Sequence, residues 1–480
     1  MIELSGHMTK IVCTIGPASR SEAVLEELMK NGMDVARLNF AHGSLEDHRE
    51  VIGRIRAIAA KLHRGCMILG DLPGPKIRIG KLQNQPLLLN KEDEISLTTE
   101  DVPGTAARIP VGYPKLPQSV SAGRTIYLND GFIQLQVQEV SGFDVRCKVV
   151  IGGELLSYKG LNIPGAKIDL DVITEQDLGF VDFGLREGID AFSISFVEKA
   201  ADILKVRAFA KERGESLYVV AKIERVEAID RIDEILNAAD AVMIARGDLG
   251  VQIPLEDVPA VQKKLIHKAN LMNRPVITAT QMLVSMTQNV RPTRAEVSDA
   301  ANAILDGTDA VMLSEETAVG KYPAEAVAML AKIAASIERQ REEIDALSDL
   351  AEYFRKGPGR EGISAEETIS LNAIETARSL NARYILVPTQ NGDAARRLSR
   401  FKPGCWILSF CDDEKTRNLL ALSFGVLPVL MKREERGDPD AVKRYLIDAG
   451  LSQKNDRLIL TQRATAGRPD DIDSLRVLTI

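Results

Sequence analysis

The sequence predicts an α/β protein: a (β/α)8 TIM barrel with a small β domain inserted into it and a C-terminal α/β domain after it. Three observations predict this. About eight short apolar or β-branched runs recur through the first two thirds of the chain, most of them separated by helix-period segments, which is the pattern of a barrel. The rhythm breaks once, for roughly 120 residues after the third run, far beyond the length of a loop. Beyond about residue 364, strand-like runs alternate with helices again, as in a second, mostly parallel sheet. A length of 480 residues itself implies two or three domains.

Taken in order, residues 1–8 are given no part in the fold: Gly6-His7-Met8 reads as a tag or flexible N-terminus, with Met8 as the natural start. Barrel runs are expected at Ile11–Ile15, Val35–Leu38, Met67–Leu69, Ala191–Ser195, Tyr218–Ile223, Ala241–Ile244, Val276–Thr278 and Ala310–Leu313, giving a barrel over 9–72 and 172–345. Ser21–Asn31 puts Val24, Leu25 and Leu28 on one helical face and stops at Gly32. The insert, 73–171, alternates apolar and polar residues through Thr125–Leu128 and Phe132–Val137 around Asn129-Asp130-Gly131, so a small antiparallel β unit is expected. The charged stretch Glu338–Glu343 reads as a solvated helix face. Lys356-Gly357-Pro358-Gly359-Arg360 reads as a link, and 346–480 as a second, smaller α/β domain.

Composition narrows the function. A net charge of −7 argues against nucleic acid as a bulk partner, and no apolar run is long enough to span a bilayer. The five cysteines are scattered without a C-x-x-C pair, which fits reduced thiols in a cytoplasmic protein better than disulfides or zinc.

The chemistry is concentrated where buried strands surface. Lys222 and Glu224 stand two apart on an apolar run, hence on one side of the pleat, where a core strand would carry aliphatics. A lysine and a carboxylate in such a place need each other or a ligand. Asp248 follows the next run in a glycine-flanked turn, and two carboxylates beside a lysine suit a divalent metal that also holds a phosphorylated substrate. Arg37, Asn39, Asp71, Ser195, Thr278, Thr280 and Ser314 likewise sit at or just past run ends.

Several segments carry a resemblance in consistent order: Lys10–Ser19, Ala36-Arg37-Leu38-Asn39-Phe40-Ala41-His42-Gly43, Ala245–Gly250 around Asp248, Thr278–Leu283, Arg291–Glu296 and Ser314–Thr317. The chain resembles the pyruvate kinases along nearly its whole length. That resemblance implies a lid inserted after barrel strand three, phosphoryl transfer from phosphoenolpyruvate to ADP giving pyruvate and ATP, and usually a homotetramer. It implies Glu224 and Asp248 as ligands of Mg2+ or Mn2+; Lys222 and Arg37 facing the phosphoryl group; Ser195, Gly247 and Asp248 at the substrate; and Thr280 as proton donor to the enolate. Asn39, His42, Arg78 and Lys159 are implied at the nucleotide. Gly160-Leu161-Asn162-Ile163-Pro164-Gly165-Ala166-Lys167 fails as a phosphate loop because Ala166 stands at the lysine position. Glu316 and Arg294 are expected to be a structural or subunit-contact pair, and Arg37 has a structural alternative as a partner of Asp71.

Two departures from the family pattern yield expectations. The family's K+ site uses four side chains, of which Asn39 and Asp71 remain while Ala41 and Leu72 replace the hydroxyl residues; Lys76 stands where K+-dependent members have glutamate. Lys76 is therefore expected to substitute for a monovalent cation, with no K+ requirement. The loop Thr389–Ala395 occupies the place of the effector-phosphate loop but carries Gln390, Asn391, Asp393 and Ala394, so weak or no activation by fructose bisphosphate is expected. A metal-dependent lyase acting on the same substrates, and a non-catalytic metabolite sensor, are the competing readings.

Overall fold

The computed structural model of the chain describes residues 4–129, 131–166, 168–344, 350, 352–354, 364–462, 470 and 472–480. Eight parallel strands close into a barrel: β1 Lys10–Ile15, β2 Met33–Asn39, β3 Met67–Leu72, β4 Ala191–Ile194, β5 Tyr218–Ile223, β6 Ala241–Ala245, β7 Val276–Ala279 and β8 Ala310–Leu313. Each pairs with its neighbour in chain order, and β1 closes on β8 with Lys10 opposite Ala310.

Period-two alternation divides each strand between two cores. Along β5, Val219, Ala221 and Ile223 face the outer helices, while Tyr218 and Val220 join Val12, Val35, Met67, Leu69, Met243 and Ile277 inside the barrel. The same alternation makes Lys222 the next inward residue of β5, Asp71 that of β3 and Arg37 that of β2. The barrel interior is therefore apolar at the strand starts and charged at the strand ends.

The first outer helix, Glu22–Lys30, shows how local signals set the boundaries. Ser21 accepts a hydrogen bond from Val24 N at its start, and Gly32, at φ 118°, ends the turn after it.

The chain leaves β3 for the insert through Pro73 and Gly74. Gly74 has φ 61°, and a Cβ there would stand 3.2 Å from side-chain atoms of Ser195 and Phe196. Glycine lets the stem cross directly over the end of β4. The insert holds a six-stranded and a two-stranded sheet around its own core of Ile79, Leu97, Ile126, Leu135 and Val149. Its strands pair antiparallel except where Ser96–Thr98 runs parallel to Arg108–Pro110, and an isolated parallel bridge joins Leu82 to Gly104.

The C-terminal sheet contains β9 Tyr384–Pro388, β10 Trp406–Cys411, β11 Val426–Leu430, β12 Arg457–Gln462 and β13 Ser474–Thr479, in the order β11-β10-β9-β12-β13. Only the edge pair β12–β13 is antiparallel. The segment before β11 leaves this domain: Leu419, Ala421 and Leu422 pack among Val12, Val35, Met67, Tyr218 and Ala310, closing the N-terminal mouth of the barrel.

Two expectations need correcting. Leu4–Met8 belong to the fold, because His7 is buried, Leu4 packs on the C-terminal core, and Met8 O accepts a hydrogen bond from Gly425 N at 2.9 Å. Glu338 is not a solvated face. Its carboxylate accepts from Met8 N and Thr9 N, both at 2.7 Å, and from Thr9 Oγ1 at 2.6 Å. The expected link Lys356–Arg360 and residues Met1–Glu3 lie outside the described residues. Among the described residues no helix is long and apolar enough to cross a membrane.

Leu422→Ala opens a cavity in a core shared by two domains. It is expected to cost about 2–5 kcal/mol and to lower the thermal midpoints of barrel and C-terminal domain together, as followed by calorimetry.

Candidate active site

At the C-terminal mouth of the barrel the inward row turns polar and its side chains interlock. Arg37 donates from Nη1 to Thr14 Oγ1 at 2.8 Å and from Nη2 to Asp71 Oδ2 at 2.5 Å. Asp71 also accepts from Ser193 Oγ and lies 3.5 Å from Lys222 Nζ. Lys222 donates to Ser195 Oγ at 2.8 Å and pairs with Glu224 Oε1 at 2.9 Å. Ser195 donates in turn to Leu72 O, and Glu224 Oε2 accepts from Phe196 N at 2.7 Å.

These groups are nearly free of water, so their neighbours decide their charge states. Burial pushes the Asp71 carboxyl up, but Arg37 and Lys222 together with the Ser193 hydroxyl outweigh it and hold the pKa below the ordinary value. Burial likewise disfavours the Lys222 ammonium, yet Asp71 and Glu224 more than compensate and hold its pKa up. Glu224 goes the other way: burial raises it, Lys222 opposes, and the charge of Asp248 pushes it further up. Two carboxylates that feel each other beside an obligate cation are suited to a divalent ion.

Asp248 lies in the first turn of the short helix Arg246–Gln252 that follows β6, with Lys76 Nζ from the insert stem 3.4 Å from its Oδ1. Gly247 N donates to Thr280 Oγ1 at 2.7 Å, so the N–H of Gly247, a residue expected at the substrate, is already bonded. Thr280 Oγ1 donates to Ala279 O at 2.6 Å. Thr280 has φ 69° and Gln281 φ 55°; for a β-branched residue this is a strained conformation, of the kind that collects at functional sites. Arg246 holds it there, donating from Nη2 to Thr280 O at 2.8 Å while paired with Asp299.

The nucleotide candidates form two pairs. Asn39, ending β2, accepts from Ala41 N through Oδ1, and His42 stands exposed in the same turn. Arg78 and Lys159 meet within the insert, where Arg78 bridges Gly160 and donates to Tyr158 O at 2.9 Å. Among the described residues no hydrogen bond or ion pair joins the two pairs.

Thr278 donates to Thr308 Oγ1; the Ser314 N–H is taken by Glu316, while the buried Ser314 hydroxyl has no partner among the described residues. Glu316 is not paired with Arg294: its carboxylate accepts from Leu283 N and Ser314 N, and Arg294 is exposed. Sequence reasoning missed Thr14, Ser193 and Arg246. For the first two, the alternation that placed Lys222 was a usable signal.

In the C-terminal domain, the loop Thr389–Ala395 is already engaged with an anion of the chain itself. Asp470 accepts from Thr389 Oγ1 at 2.8 Å, Gln390 N at 2.6 Å and Asn391 N at 2.8 Å. Asp393 is paired with Arg396.

Comparison with known proteins gives two family matches: residues 6–327 match the model described as pyruvate kinase, barrel domain, and residues 367–478 the model described as pyruvate kinase, alpha/beta domain. A curated pyruvate kinase from Thermococcus litoralis is 47% identical over 479 residues, covering 100% of both chains. Pyruvate kinases from Staphylococcus epidermidis and Staphylococcus aureus are 41% and 40% identical, over 98% of this chain and 80% of theirs.

Asp71→Asn leaves Arg37 and Lys222 buried with one anion fewer and is expected to destabilise the chain by about 3–5 kcal/mol at neutral pH. Because folding depresses the pKa of Asp71, its stabilisation is present above the ordinary carboxylate pKa of about 4 and fades as pH falls below it. Unfolding curves of the two proteins should therefore converge on acidification; a gap independent of pH would separate the loss from the charge of Asp71.

Proposed function

Because the chain belongs to the pyruvate kinase family, we propose that it transfers the phosphoryl group of phosphoenolpyruvate to ADP, giving pyruvate and ATP. The observation that carries this reading is the buried Lys222, fixed between Asp71, Ser195 and Glu224 with Arg37 one partner away. Phosphoryl transfer through a loose transition state asks the protein mainly to hold two anions in line and neutralise charge.

Glu224 and Asp248 are proposed to hold Mg2+ or Mn2+. Their donor set fits: the charge of Asp248 acts on the buried Glu224 carboxyl, and an ion of this kind accepts one or two carboxylates, completing its shell with substrate oxygens and water. When bound, such an ion supplies positive charge to the phosphoryl and enolate oxygens.

The chain's own groups do the rest. Lys222 offers a compact charge to the migrating phosphoryl, and Arg37 a planar fork matched to phosphate. Ser195 orients Lys222. The substrate carboxylate is assigned to the Gly247–Asp248 turn. Thr280 is the proposed proton donor to the enolate, directly or through a water, which requires its hydroxyl to turn from Ala279 O. Asn39, His42, Arg78 and Lys159 are proposed at ADP, with the insert closing over it to exclude water. We assign the catalytic barrel to 9–72 and 172–345, the lid to 73–171 and the regulatory or oligomerisation domain to 346–480, in a cytoplasmic homotetramer.

Lys76 is proposed to replace a monovalent cation, so no K+ is required; the loss of both hydroxyl ligands at Ala41 and Leu72 supports this. The engagement of Asp470 with the loop after β9 supports weak or absent activation by fructose bisphosphate.

Pyruvate formation from phosphoenolpyruvate, ADP and Mg2+ tests the activity; its absence would reject the reading. Lys222→Met should reduce turnover roughly 10²–10³-fold or more with folding intact. In tetraalkylammonium buffer at constant ionic strength, adding K+ should leave turnover unchanged. A many-fold rise would show a K+ requirement. Micromolar fructose bisphosphate should not shift half-saturation by phosphoenolpyruvate.

A further inference from the structure

Each carboxylate assigned to the divalent ion has an ammonium beside it. Lys222 Nζ is 2.9 Å from Glu224 Oε1, and Lys76 Nζ is 3.4 Å from Asp248 Oδ1. The two pairs differ in burial. Lys222 and Glu224 rise from one end of β5 with side chains 10% and 1% exposed, and Lys222 keeps Asp71 and Ser195 as further partners. Lys76 and Asp248 are 24% and 26% exposed, and Lys76 belongs to the stem of the insert, two residues after Gly74. Lys76 also lines a cavity of about 30 Å3 with Ile77, Phe196, Arg225 and Gln252.

An ammonium and a divalent cation cannot both sit against the same carboxylate oxygen without strong mutual repulsion. On the reading that Asp248 is a ligand of the ion, we propose that Lys76 and the ion compete for Asp248, and that Lys76, once displaced, supplies its charge to the phosphoryl group of the substrate. Lys76 is then a positioning residue that couples the two ligands. By linkage, the ion favours phosphoenolpyruvate by the factor by which phosphoenolpyruvate favours the ion. This goes beyond replacing a monovalent cation, which predicts nothing about divalent affinity.

The test is Mn2+ binding to the intact protein, by the electron paramagnetic resonance of free Mn2+ and by calorimetry, with and without phosphoenolpyruvate and without ADP. Lys76→Met should bind Mn2+ about tenfold more tightly than the unmodified chain when phosphoenolpyruvate is absent. The tightening that phosphoenolpyruvate produces should shrink by a similar factor, and Lys76→Gln should behave alike. Arg78→Met removes a cation from the same stem, but one that donates to Tyr158 O, and should leave Mn2+ affinity unchanged. Unchanged or weaker Mn2+ binding by Lys76→Met, or equal tightening in Arg78→Met, would overturn the proposal. Glu224→Gln separates the two levels. If it weakens Mn2+ binding while Lys76→Met changes nothing, only the competition fails; if it too changes nothing, the ion is not at these carboxylates and both readings fall.

Discussion

Arg37, Asp71, Lys222 and Glu224 share one small volume from which water is nearly excluded, and their mutual neutralisation is the condition on which the barrel mouth exists. Each ion alone would carry a desolvation cost of several kcal/mol. Two cations and two anions alternate: Arg37 meets Asp71, Asp71 meets Lys222, and Lys222 meets Glu224. The hydroxyls of Thr14, Ser193 and Ser195 and the N–H of Phe196 fill further donor and acceptor positions, while the buried Nε–H of Arg37 has no partner among the described residues. Such a network is rigid because no member can rotate without leaving another charge unpaired.

The elements around the network meet its demands in different ways. Strand alternation brings the charged side chains inward with no special backbone. The loops that follow need unusual backbone: Phe196 at φ 58° aims its N–H at Glu224, and Thr280 at φ 69° is held by Arg246 from the turn that carries Asp248. Gly74 brings the insert stem within contact of Ser195, so the insert begins one side chain from Lys222.

The barrel strands and the Lys222–Glu224 pair were legible because period-two alternation is a local property, and a charge on an apolar run stands out against it. β3 was cut short at Leu69 because Gly70 and Asp71 look like a turn; the structure continues the strand to Leu72 and buries Asp71, since Arg37 and Lys222 neutralise it. The fold role of Leu4–Met8 and Glu338 was illegible because the partners are separated by more than 300 residues. Asp470 was missed for a related reason: its loop could be read, but not the side chain arriving from beyond β12 to fill it. The reading of Glu316 with Arg294 failed because a buried carboxylate can be satisfied by backbone N–H groups as well as by a cation.

Leu419, Ala421 and Leu422, which stopper the barrel from below, tie the two large domains differently from an ordinary interface. They are part of the column of side chains that fills the barrel, stacked beneath Tyr218 and Val220 on the strand that carries Lys222. A tilt of the C-terminal sheet therefore acts on this column as a piston acts on a packed cylinder, along its axis. Interiors packed this densely transmit displacement rather than absorb it, so a shift of these three residues would be felt along the barrel axis, toward the charged row that contains Lys222.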